Sequence, residues 1–135
     1  MNCPAADIGS RAQIERLVDG FYASVRADAV LAPIFDDVAR TNWAEHLPKM
    51  YDFWETVLFS AGAYRGNPLA VHLELAARVP LTNREFEQWL GLFRRQVDAM
   101  FAGPVAEEAK RRASRFAAVM QHHVAAHDRS LKASA

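Results

Sequence analysis

Apolar residues recur in this chain at helical spacing almost throughout, and nowhere do they alternate with period two over the length of a strand. Ile14, Leu17, Val18, Phe21, Tyr22 and Val25 fall on one helical face. Ser10 followed by Gln13 predicts a capping box at its start. Gly20 interrupts that face at a cost in helix propensity, which predicts close packing against a neighbour. After a short apolar turn at Leu31-Ala32-Pro33-Ile34-Phe35, a second stripe runs through Trp43, Leu47, Met50, Phe53, Trp54, Val57 and Leu58. Pro48 lies inside it. A proline costs ~3 kcal/mol in a helix interior and little in the first turn, so a helix start near Ala44 to Leu47, or a kink there, is expected. In the next loop, Asn67 as N-cap and Pro68 as first helical residue predict a short helix carrying His72. Thr82 and Glu85 form a second capping box, followed by a face of Phe86, Trp89, Leu90, Phe93, Val97, Met100 and Phe101. Gly103-Pro104 breaks the chain. A last helix, expected to end near Ala126, turns Ala109, Ala113, Phe116, Ala117, Met120 and Val124 inward. The fold class is all-α, with four main helices and two or three short ones.

The 135 residues fit one domain spanning 1–135, with loose ends expected at 1–9 and 128–135. With 51% hydrophobic residues the chain can build a core without disulfides, and its single cysteine, Cys3, cannot form an internal one. Sixteen basic residues balance sixteen acidic ones. That balance argues against nucleic acid or an anionic membrane as partner. No apolar run suits a signal peptide or approaches the ~20 residues of a membrane span. A cytoplasmic protein is expected, and a monomer, because no apolar helix face is left over.

Few residues can carry chemistry. His72 sits on a short helix after a Gly/Asn/Pro-rich loop, an arrangement that presents one imidazole rigidly. Neutral imidazole is a common metal ligand, although a lone helical histidine more often has no ligand. His46 stands at the start of the aromatic second helix, where the bland alternative is a solvated residue. Tyr22 and Trp89 place an O–H and an indole N–H among apolar neighbours, and buried donors need acceptors. A backbone carbonyl is the commoner acceptor, but two such donors in an apolar all-α core also suit a polar bound ligand. His122, His123 and His127 lack the glutamate of a metalloprotease motif, and a near-terminal histidine group is usually solvated.

Taken together, these segments resemble the truncated haemoglobins, most closely their third group. The resemblance runs from about Ile14 to Met120. It is carried by Phe21-Tyr22, Pro33-Ile34-Phe35, Trp43-Ala44-Glu45-His46, Phe53-Trp54, Tyr64-Arg65-Gly66-Asn67-Pro68 with Val71-His72-Leu73, and Phe86-Glu87-Gln88-Trp89-Leu90. It implies a two-over-two helical sandwich around haem b, with His72 as the proximal iron ligand. It implies that Tyr22 and Trp89 donate hydrogen bonds to the bound ligand and that His46 is the distal histidine, acting more as a gate. Phe35, Met50, Phe53, Trp54 and Phe93 match pocket-lining positions, and Lys49, Tyr64 or Arg78 could pair with a haem propionate. Pro48 departs from the family pattern.

The function this implies is binding of dioxygen, carbon monoxide, nitric oxide or similar small ligands. Nitric oxide dioxygenase or peroxidase-type turnover, fed by an unidentified electron donor, is one extension. Two other functions remain open on sequence alone. One is a haem-based gas sensor acting through a partner protein. The other is a haem-free helical interaction module, in which the aromatic stripes are plain core.

Overall fold

The structure is a computed structural model; it describes residues 6–35, 42–59 and 81–133, with side chains as far as residue 126. Four helices make up nearly all of it: α1 (Arg11–Ala27), α2 (Trp43–Phe59), α3 (Asn83–Met100) and α4 (Pro104–Ala133). There is no strand among the described residues. Helix α1 packs on α2 and α3, and α4 packs on α3 and α2. The four thus close a ring of contacts, one pair over the other. The short helix expected around His72 lies outside the described residues.

Each helix forms where its apolar stripe and its caps agree. All six predicted positions of α1 are buried, each worth ~1.5–3 kcal/mol of removed apolar surface. Ser10 caps α1 by accepting the Gln13 N–H at 3.3 Å. The reciprocal bond differs from the expected capping box, because the Gln13 side chain accepts from Gly9 N–H instead, at 2.5 Å. At α3 the box is complete: Thr82 caps, and Glu85 accepts from the Thr82 N–H at 3.1 Å. Gly20 does sit at a close approach. A Cβ there would run into the Gln96 side chain of α3, 2.9 Å from its Cδ.

Helix α2 starts from the Asn42 carbonyl, which accepts from Glu45 N–H at 3.1 Å and His46 N–H at 2.8 Å. It begins at Trp43, one residue ahead of the expected window, and Pro48 lies within it. At that depth Pro48 removes a single bond, to the carbonyl of Ala44. Ala44 and Pro48 are both exposed, so water can take that carbonyl.

Helix α4 continues to Ala133, past the expected end near Ala126. Ala106, Ala109 and Ala113 are buried on its inner side, where their small side chains bring it close to α3.

The start of the described chain is held firmly. Ile8 is buried in the core cluster, and Ala102 N–H donates to Ala6 C=O at 3.1 Å. Asp7 reaches across to the first turn of α4, accepting from Val105 N–H at 2.9 Å and Ala106 N–H at 2.8 Å. A carboxylate at a helix N-terminus satisfies donors that have no partner within the helix. Burial works against the charged Asp7, but its backbone hydrogen bonds outweigh that and hold the carboxyl below its usual range. Gly103 makes the approach feasible. Its φ is +144°, and a Cβ there would lie 2.5 Å from Asp7 Cγ.

Gly103→Ala should therefore cost about 1–3 kcal/mol of stability through strain and displacement of Asp7. Asp7→Ala should cost about 0.5–2 kcal/mol; urea denaturation of the two variants checks both. The Asp7 pKa is lowered in the folded state. Its contribution is therefore complete above the unfolded carboxylate value of ~3.9 and is lost as pH falls through the folded value. Wild-type and Asp7→Ala stabilities should converge below about pH 4 and stay apart at neutral pH.

Candidate functional site

Two aromatic groups occupy the space between the helices, and Phe21 of α1 joins them. In the first, Tyr22 from α1 meets His46 from α2, their ring centroids 5.0 Å apart and edge-on. Phe35, from the turn that follows α1, lies 6.0 Å from Tyr22 and 6.3 Å from His46. Trp43 completes the group. It stacks on Phe35 at 5.7 Å and stands edge-on to His46 at 5.6 Å. Tyr22 is 7% exposed, and the His46 Nε2 atom is shut off from solvent.

The second group is a ladder of nearly parallel rings. Trp54 of α2 stacks on Phe93 of α3 at 4.7 Å and 13°, and Phe93 stacks on Trp89 at 5.9 Å and 8°. Phe53 flanks Trp54 at 5.3 Å and reaches Phe116 of α4 at 5.1 Å. Phe21 touches Tyr22 at 4.8 Å and Trp89 at 5.6 Å. The two candidate donors, Tyr22 and Trp89, therefore both touch one phenyl ring. Aromatic pairs in these geometries contribute ~0.5–1.5 kcal/mol beyond their buried area.

The helices deliver these side chains for local reasons. Trp43, His46 and Met50 lie at steps of three and four along α2 and so share a face. Phe86, Trp89, Phe93 and Val97 do the same along α3. The turn carrying Phe35 is fixed by Asp28, whose carboxylate accepts from Val30 and Leu31 N–H at 3.0 and 2.9 Å. Gln88 of α3 donates to the same carboxylate at 2.5 Å. Burial disfavours the charged form, but Gln88 and the two amides hold Asp28 below the usual carboxylate range. One residue thus ties the end of α1 and the Phe35 turn to the helix that carries Trp89.

Of the residues picked out from sequence, Tyr22, Phe35 and His46 come together, and so do Phe53, Trp54, Trp89 and Phe93. Met50 is half-buried against the core. Lys49 is exposed on α2. His72, Tyr64 and Arg78 lie outside the described residues. Sequence reasoning missed Trp43 as a site residue, although its place three before His46 was a signal. Phe116 was read only as part of the α4 face. His122 and His123 are exposed, with rings 5.6 Å apart. No group of three or more metal-ligating side chains occurs among the described residues.

The outer side of the first aromatic group opens on a groove of about 310 Å³ between α1 and α2, where Tyr22, Trp43 and Leu47 meet Asp19, Arg26 and Tyr51. The Arg26 guanidinium lies 4.9 Å over the Trp43 ring. Tyr51 donates its hydroxyl proton to Asp19. Burial and then Asp19 push the Tyr51 pKa up to about 12, so it remains a neutral donor at ordinary pH.

This architecture and ring arrangement have relatives. A family model described as bacterial-like globin matches residues 6–126. The group 3 truncated hemoglobin ctb of Campylobacter jejuni is 34% identical over 112 residues, covering 81% of this chain and 86% of that protein. A crystal structure of a group III truncated hemoglobin from Campylobacter jejuni superposes with a TM-score of 0.79 at 29% identity. That match covers 89% of this chain and 94% of the other. Among the described residues no helix is long and apolar enough to cross a membrane. With a family match over most of its length and a close fold relative, this chain belongs to the bacterial-like globins, a haem-based gas-binding family, as a truncated haemoglobin of the third group.

Proposed function

We propose that this chain holds haem b through His72 and presents Tyr22, His46 and Trp89 to a small diatomic ligand such as dioxygen, carbon monoxide or nitric oxide. The observation that carries the reading is the meeting of Tyr22 and His46, 5.0 Å apart, in a core with no fully buried charged or amide side chain among the described residues. Two hydrogen-bonding groups converging inside an otherwise apolar interior suit a ligand that is small and polar.

The residues present also fit the flat apolar group itself. Helix α2 carries large apolar side chains at Leu47, Met50, Phe53, Val57, Leu58 and Phe59, yet only Trp54 on it is fully buried. Every residue of the α1 stripe, by contrast, is covered. Trp89 and Leu90 of α3 are half-buried as well. A porphyrin lying against these side chains would cover what the helices leave open. Lys49, exposed on α2, would be a candidate to meet a propionate, with Tyr64 or Arg78 as further candidates.

A haem iron held by one imidazole supplies an open coordination position for a diatomic gas. Around it the protein's own groups set the behaviour. The Tyr22 hydroxyl and the Trp89 indole donate to the ligand, and His46 stands beside Tyr22 as a gate. Phe35 and Trp43 confine the His46 ring, while Phe53, Trp54 and Phe93 keep water out. Two donors on one ligand favour retention over carriage. A reaction such as nitric oxide dioxygenation or peroxide turnover, drawing on a separate electron donor, then suits the pocket better than transport does. A monomer in the cytoplasm goes with this reading.

The test is the oxygen off-rate. A hydrogen bond to a ligand bearing partial charge contributes about 1.5–3 kcal/mol, so Tyr22→Phe should speed dioxygen dissociation roughly ten- to a hundredfold. Trp89→Phe should add to the effect. Stopped-flow displacement of dioxygen by carbon monoxide measures both, and unchanged rates would remove these donors from the mechanism.

A further inference from the structure

The zero net charge of the chain conceals a segregation of charge. Residues 83–133, which form α3 and α4, contain nine Lys/Arg against six Asp/Glu, an excess of three positive charges. The remaining residues have seven against ten and are negative by the same amount. The excess is not spread evenly. A cleft of about 580 Å³ between α3 and α4 is lined by Arg94, Arg111, Arg115 and Lys110, with Asp98, Glu107 and Ser114.

The ion pairs show which of these charges are already answered. Lys110 is held by Asp98 at 2.7 Å and Glu107 at 2.9 Å, and Arg111 is held by Glu108 at 2.6 Å. Arg94 bonds only a neutral group, the Ser114 hydroxyl, at 2.5 Å. Arg94 and Arg115 have no carboxylate partner among the described residues. The cleft therefore presents two uncompensated guanidinium groups, one from each helix, in a concave site. Guanidinium is the cation best suited to carboxylates, because its planar fork matches them bidentately. Arg94 follows Phe93 directly, so the cleft lies on the same helix whose inner face carries the Trp54–Phe93–Trp89 ladder.

We propose that the α3–α4 cleft is the docking surface for a small acidic protein of the one-electron-carrier kind. The choice of a carrier rests on the haem reading above; the acidic character of the partner rests on the charges alone. Transfer would take one electron from the carrier's reduced centre to ferric iron, giving oxidised carrier and ferrous iron, with no atom or proton exchanged. A protein fits better than a nucleic acid, because only two guanidinium groups are uncompensated and the ion-paired Asp98 and Glu107 interrupt the basic surface between them. Such a broken patch matches the scattered acids of a folded surface better than a continuous phosphate backbone. Electrostatic complementarity of this kind acts mainly on the rate of encounter and its salt dependence.

The test is an NMR titration of the isotope-labelled purified protein with an acidic [2Fe–2S] ferredoxin and, separately, an acidic flavodoxin. Each is run at low salt and at ~0.15 M salt. Arg94→Glu/Arg115→Glu is compared with wild type and with Arg16→Glu, a control on α1. Arg94, Arg115 and Arg16 are all exposed, so the helices should persist, and far-UV circular dichroism verifies that they do. The proposal expects binding at low salt that weakens at physiological salt, with shifts centred on α3 and α4. The double variant should bind about tenfold more weakly or worse, and Arg16→Glu should match wild type. Absence of binding to both carriers overturns the proposal, as does equal binding by the double variant or equal binding of a duplex oligonucleotide. A protein that docks but shows no haem absorbance after hemin is added would refute the haem reading and leave the docking surface standing.

Discussion

The stacking of Trp54 on Phe93 is the contact on which the rest of the molecule depends. It joins α2 to α3 face to face at 4.7 Å. Through Phe93 it sets Trp89 parallel to both rings, and through Phe21 it reaches the buried stripe of α1. Phe53 and Phe116 extend the same packing to α4. An interior built from flat rings is stiff, because each ring fixes the tilt of the next. It also leaves a particular kind of surface, broad and apolar, with polarity confined to the tips of a few side chains.

Those tips are where the fold becomes chemistry. Tyr22 is one residue beyond Phe21 on α1, so the helix that anchors the ladder also delivers the hydroxyl. His46 arrives from α2 because Trp43, a turn earlier on that helix, stacks on Phe35. The turn that leads to Phe35 is held in its place by the Asp28 carboxylate, which accepts from Val30 and Leu31 N–H and from Gln88 of α3. The position of the candidate ligand pair therefore depends on three helices agreeing, through one stacked pair and one hydrogen-bonded carboxylate. Ion pairs contribute less to this frame. The Arg11–Asp52 pair between α1 and α2 is more than a third exposed on both sides, where such pairs typically contribute ~0–1 kcal/mol.

Much of this was legible from residue order. The stripes of α1 and α3 repeat every three or four residues, and that period has one structural reading. Ser10 and Thr82 mark helix starts because their side chains can do locally what the backbone cannot. Other features depend on contacts far apart in sequence and leave no local trace. Asp7 caps α4 across almost a hundred residues, and in the sequence Gly103-Pro104 marks only a break in the chain. Pro48 was ambiguous because a single proline fits either a helix start or a tolerated interior break; Asn42, six residues before it, decides. Helix α4 outran its expected end because an alanine-rich tail contains no breaker to stop it. The α3–α4 cleft was invisible in a net charge of zero, since a sum over residues says nothing about where they lie. His72 rests on family resemblance, carried by the Gly-Asn-Pro to His-Leu segment.

The central claim is that this frame holds an iron porphyrin through one histidine and leaves the other side of the metal accessible. Visible absorption of the purified protein tests it most directly, recorded in the ferric, dithionite-reduced and carbon monoxide-bound forms, for wild type and His72→Ala. The account predicts a Soret band that shifts on reduction and shifts again with carbon monoxide, and that is lost or displaced in His72→Ala. Absence of a Soret band even after hemin is added, or spectra identical in His72→Ala, would contradict it.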